Sequence, residues 1–150
     1  MKDSFIRSLI GNFLVIIQFG CLAWLIFSGP VFVFNTLLLG LKAFSILILI
    51  WAIAAMRHSK LNVYPRIRKG AIFIAQGPYR VIRHPMYLAV ILFAIAMLLE
   101  RITFLRFILL IVLVINLLIK IEFEEKMLSE EFSEYVSYKK KTRKLFPFIY

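Results

Sequence analysis

The sequence predicts an all-α bundle of about four membrane-spanning helices with a cytosolic amphipathic helix after them, and three observations predict it. Of the 150 residues, 62% are hydrophobic, where a soluble domain has roughly half. The apolar residues gather in runs too long for a soluble core of this size to absorb. Most of the 19 Lys and Arg residues stand beside those runs. A formal charge of +11 could otherwise suggest nucleic acid. Its placement reads instead as the positive-inside signal and a grip on anionic headgroups, so membrane lipids and not nucleic acid are the expected partners. The chain is read as one membrane domain, 1–150, with no room for a second.

Residues 10–27 are apolar apart from Asn12 and Gln18, enough for one ~30 Å hydrocarbon core. Lys2 and Arg7 precede this run as in a signal peptide, but no convincing cleavage site follows, so an uncleaved first span is expected. Ser28-Gly29-Pro30 is a turn signal. Residues 31–56 form the second span, so the first two spans should make a tight hairpin. Lys42 lies within the second span and is expected to snorkel to a headgroup.

Residues 57–83 form a basic loop. Inside it, Ala71 to Ala75 is a short apolar stretch, too short to span and expected to lie against something. Residues 85–99 and 103–119 are the third and fourth spans, divided by Glu100-Arg101, with Pro85 suited to a first helical turn. Residues 120–150 are cytosolic in character. Leu128, Phe132 and Tyr135 recur there at helical spacing among Glu and Lys, which predicts an amphipathic helix. The apolar tail Leu145 to Tyr150 should dock back on the protein or the membrane.

Two Lys or Arg residues precede the first span, seven lie in the long loop and seven follow residue 119; the opposite side has only Arg101 and Arg106. A multi-pass protein with both termini, the loop and the tail cytoplasmic is expected. The lone Cys21 excludes a disulfide framework, and its apolar run is a poor place for a catalytic thiolate. Two histidines far apart, with no cysteine cluster, argue against a metal site.

Two constellations could carry chemistry. The first runs from Gly77-Pro78-Tyr79 to Arg83-His84-Pro85-Met86-Tyr87, where the loop meets the third span. An Arg beside the open amides of a helix start suits a carboxylate or phosphate. Arg and Tyr are also ordinary interface residues, and the sequence leaves both readings open. The second is Asn116, Lys120 and Glu124, spaced i, i+4, i+8, with Glu125 beside them. A polar group such as Asn116 is costly in an apolar span unless partnered. An interhelical hydrogen bond from Asn116 and a solvated Lys–Glu pair would also explain this stripe.

At these two places the chain resembles the isoprenylcysteine carboxyl methyltransferases and their relatives, which include the phospholipid N-methyltransferases. That group carries Gly-x-Tyr, then Arg-His-Pro-x-Tyr-x-Gly, then Arg-x-x-x-Glu-Glu-x-x-Leu, then Phe-Gly-x-x-Tyr-x-x-Tyr and a late proline. The matching residues are Gly77, Tyr79, Arg83, His84, Pro85, Tyr87, Glu124, Glu125, Leu128, Phe132, Tyr135, Tyr138 and Pro147. The resemblance covers roughly residues 65–150. Ala89 and Ser133 stand where glycines are usual, and Lys120 stands where an arginine precedes Glu-Glu. In the carboxyl methyltransferases that arginine is implicated in holding the acceptor carboxylate. Lysine keeps the charge and loses the planar fork.

The resemblance implies S-adenosyl-L-methionine as cofactor, lined by Ile72, Phe73, Ile74, Tyr79, Arg83, His84, Pro85, Met86, Tyr87 and Glu124. Lys120, Glu125 and Asn116 would act on a lipophilic acceptor arriving from the bilayer. Carboxyl methylation is the leading expectation, because the Lys120 cation suits an anionic head and would repel a cationic amine; a carboxylate acceptor also needs no general base. Phospholipid amine methylation is the alternative, with Glu125 accepting the proton. The pattern also resembles membrane sterol reductases, which would use NADPH, and a non-enzymatic membrane protein on the same fold stays open.

Overall fold

The computed structural model describes residues 2–30, 35–57 and 74–146, with side chains from residue 9 onward. Its helices are α1 Lys2–Phe27, α2 Thr36–Met56, α3 Pro85–Glu100, α4 Phe104–Glu131 and α5 Glu134–Lys141, with a 3-10 turn at Gly77–Arg80 before α3. The described residues contain no strand, so the chain is all-α as its sequence predicts.

Local chemistry sets the helix ends. The Asn35 side chain accepts from the amides of Leu37 and Leu38 at 3.0 and 3.3 Å and so starts α2. Thr103 caps α4 in the same way, accepting from the Arg106 amide at 3.3 Å. Pro85 opens α3, where its missing N–H costs nothing. The α4 helix does not stop at residue 119 but runs on to Glu131. Glu and Lys are good helix formers, and no Gly or Pro interrupts them there. Phe132 then turns extended (φ −116°, ψ 110°) and α5 begins after Ser133. The expected amphipathic segment is therefore divided between the end of α4 and α5.

The helices α1, α2 and α4 are each long and apolar enough to cross a membrane, and α3 is a shorter apolar helix of 16 residues. At 1.5 Å per residue α3 covers about 24 Å. It sits innermost: Leu88, Ile91, Ala94 and Met97 join Leu25 of α1 and Leu113, Leu117 and Ile121 of α4 in the core. Large apolar side chains such as Phe13, Ile16, Leu47, Trp51 and Ile115 stay exposed on the three longer helices. Water would not tolerate so continuous an apolar surface on a monomer; lipid does. The chain is an integral membrane protein.

Polar groups bridge one end of the bundle. Lys42 pairs with the buried carboxylate of Glu100. Arg106 donates to the Ser28 hydroxyl at 2.6 Å and to the Met97 carbonyl, and Arg101 donates to the Ser28 carbonyl at 3.3 Å. Lys42 thus does not snorkel as expected, because a carboxylate lies within its reach inside the protein. At the opposite end lies the 3-10 turn. Gly77 there has φ +58°, and an added Cβ would come within 3.2 Å of the Ala55 Cβ on α2. Only glycine meets both demands.

Candidate active site

Three segments converge at the end of the bundle where α3 begins: residues 79–87, the middle of α4 and the stretch 138–145. Short parallel pairing joins the first and last of these. The Arg83 and His84 amides donate to the carbonyls of Arg143 and Lys144 at 2.7 and 3.1 Å, and the Arg143 amide returns to Val81 at 3.1 Å. The Tyr138 hydroxyl donates to the Tyr79 carbonyl at 2.6 Å. Burial, foremost, pushes the Tyr138 phenol up to about 12, so it remains a protonated donor. Burial likewise raises Tyr79, helped by the nearby Tyr138 and Glu124.

Arg83 is the hub of this junction. Its Nε donates to Glu125 Oε1 at 2.6 Å, and its Nη1 donates to the carbonyls of Thr142 at 2.6 Å and Lys139 at 3.2 Å. Glu125 also meets Lys139 at 3.0 Å and the His84 Nε2 at 3.4 Å. Two cations around a carboxylate only 1% exposed favour its ionised form and make it a weak base. Arg83 and Glu125 together therefore tie the C-terminal segment to α3 and α4.

Glu124, the neighbouring residue, faces a different partner. Its Oε1 accepts from the Tyr87 hydroxyl at 2.5 Å, and its Oε2 lies 3.7 Å from the His84 Nδ1. The His84 and Tyr87 rings stack with centroids 5.5 Å apart and 8° between planes. Unlike Glu125, the Glu124 side chain keeps 19% of its surface exposed, so a ligand can reach it. Pro85 is buried beneath the pair and Met86 is half-buried beside it.

The polar stripe of α4 splits between two neighbours. Residues four apart drift about 40° around a helix, so the direction turns by about 80° over eight residues. Asn116 and Lys120 accordingly face α1, while Glu124 has turned toward α3. The Asn116 Nδ2 donates to the Leu14 carbonyl at 3.0 Å, and its Oδ1 has no hydrogen-bond partner among the described residues. The Lys120 ammonium donates to the Gln18 Oε1 at 3.1 Å and lies 5.1 Å from the centre of the Tyr87 ring. A cation so placed is held by the ring's negative face.

Of the residues that the sequence points to, His84, Tyr87, Glu124, Lys120 and Tyr79 lie in one cluster. Arg83 and Glu125 stand behind it, toward the C-terminal segment. Asn116 lies a turn deeper in the bundle. Ile74 is half-buried just ahead of the 3-10 turn, and Ile72, Phe73 and Pro147 lie outside the described residues. Sequence reasoning missed Gln18, Lys139 and Thr142. Gln18 did give a signal, as a lone amide in an apolar span. Lys139 and Thr142 gave none, being ordinary residues of a basic tail.

The family model described as phospholipid methyltransferase matches residues 30–135. That stretch holds α2, α3, α4 and the whole cluster around Glu124, and it begins after α1 has ended. No curated protein matches the chain.

Proposed function

The chain belongs to the phospholipid methyltransferase family, a membrane methyltransferase acting on lipid, and from that premise we propose that it uses S-adenosyl-L-methionine to methylate a lipid-borne carboxylate at the cytosolic membrane face. The observation that carries this reading is the fully buried cation Lys120 between the bilayer-facing helices and the half-open Glu124.

The cluster fits the donor. Glu124, with the Tyr87 hydroxyl and the His84 ring, offers negative charge and aromatic surface to a cationic sulfonium and its amino group. When bound, that donor supplies a methyl on a sulfonium; a carboxylate oxygen forms the new C–O bond while the S–C pair returns to sulfur as a neutral thioether. The residues need only hold the two reactants close, in line and partly dry. Glu124 and His84 would hold the donor side. Lys120 would hold the anionic head, and Asn116 would line the deeper wall. No base is required, which suits a site whose buried carboxylate Glu125 is committed to Arg83 and Lys139.

The family description favours a second reading, a phospholipid amine as acceptor. An amine must lose a proton, and Glu124 is then the better placed acceptor of it, since only one of its oxygens takes the Tyr87 hydroxyl. The basic residues on the site side support a cytoplasmic N-terminus, loop and tail, by the positive-inside rule.

Incubation of the purified chain with methyl-labelled S-adenosyl-L-methionine and lipid extract separates the two. A methyl ester releases volatile labelled methanol in mild base, and an N-methyl group does not. Base-labile label is expected. Base-stable label on a headgroup amine would replace the carboxylate reading with the amine one, and no labelled lipid at all would remove both.

A further inference from the structure

Lys120 is 0% exposed, and a bilayer lipid cannot touch it without something moving. Among the described residues its only side-chain hydrogen bond is to Gln18, which is itself 6% exposed and belongs to α1, the helix that ends before the family match begins. A buried ammonium needs a partner. The partner here is a neutral amide, which satisfies a donor and leaves the positive charge intact. Beside it on α1, Ile16 and Phe19 are exposed on the lipid-facing surface.

We propose that the Gln18 amide oxygen keeps the place of the acceptor's carboxylate oxygen on Lys120, so that the seam between α1 and α4 admits the lipid head and Gln18 sets its charge. This rests on the carboxylate reading above. An incoming carboxylate exchanges a neutral hydrogen bond for a charge-assisted one and adds a direct charge pair, so it displaces the amide. A head whose sole charge is a cation gains nothing there, because like charges repel in a dry site. The second tie across the seam, Asn116 to the Leu14 carbonyl, lies a turn deeper and holds α1 in place while Gln18 swings away.

The experiment uses the full chain in nanodiscs, labelled S-adenosyl-L-methionine and N-acetyl-S-farnesylcysteine as the probe acceptor. Gln18→Glu keeps the hydrogen bond and the tie between helices but neutralises Lys120 permanently. The acceptor KM should rise about tenfold or more, with kcat at saturation and cofactor affinity nearly unchanged. Gln18→Met keeps length and removes the competing oxygen, so the acceptor KM should fall about threefold. A merely structural Gln18 gives a different pattern: Gln18→Glu leaves KM unchanged, or both variants raise it alike, and either result overturns the proposal. Lys120→Ala is measured beside them. If it raises KM while the Gln18 variants do not, the role of Gln18 falls alone. If Lys120→Ala leaves KM unchanged, the carboxylate reading itself falls, and the role of Gln18 with it.

Discussion

Replacing Lys120 by Glu is expected to lower methyl transfer about a thousandfold while leaving cofactor affinity within about threefold, since loss of one oriented donor in a dry site costs about a hundred- to a thousandfold and the new anion adds repulsion. Among the described residues, Lys120 is the cation that lies over the Tyr87 ring and between the helices, one turn from Glu124. An acidic side chain there would stand one turn from Glu124 and repel a carboxylate acceptor. Gln18 can still donate its amide N–H to it, so the tie between α1 and α4 is kept. Lys120→Arg keeps the charge, and activity should stay within about tenfold of wild type, the cost being a bulkier head in a closed space. Methylation of the farnesylcysteine probe and calorimetric cofactor titration read the two effects separately. Wild-type turnover in Lys120→Ala would show that Lys120 only braces the helices.

Arg83→Ala is expected to free the C-terminal segment from the bundle. The guanidinium supplies three good contacts at once, to Glu125, Thr142 and Lys139. Its removal leaves the buried Glu125 with a weaker set of partners and the Thr142 carbonyl unsatisfied. Breaking one side of a buried ion pair costs about 3–5 kcal/mol. The loss falls on the local opening of residues 134–146, because α1 to α4 keep their own packed core. Trypsin should therefore cut at Lys139 to Lys144 about a hundredfold faster or more, while the helical bundle melts nearly as wild type. Arg83→Lys keeps the charge without the fork and should fall between. Unchanged proteolysis in Arg83→Ala would mean that the backbone pairing of 81–84 with 143–144 suffices by itself.

Much of this arrangement is legible in the residues. Run length and composition fix α1, α2 and α4, because a helix crossing lipid has few other ways to satisfy its backbone. The turn at Ser28 and the cap at Asn35 bracket the first hairpin, and Pro85 marks the start of α3. The motif from Tyr79 to Tyr87 and the pair Glu124-Glu125 do meet, as two segments on the same side of the membrane can. What stays hidden is side-chain direction. Neighbours in sequence, Glu124 and Glu125 point about 100° apart on a helix, and only packing shows that one faces the open cluster and the other a clamp. The 40° drift per four residues likewise hides that Asn116 and Lys120 look to α1 rather than along Glu124. The Lys42 pairing is hidden too: contact with Glu100 needs α2 and α3 side by side, which no single run of sequence states.

Binding of S-adenosyl-L-methionine to the purified chain in detergent, followed by calorimetry, tests the central claim most directly. Wild type should bind at a single site. His84→Ala and Glu124→Ala should each weaken binding about tenfold or more, as loss of a charge-assisted contact does, without lowering the melting temperature of the helices. Both variants binding like wild type, or wild type not binding at all, would contradict the placement of the cofactor between α3 and α4.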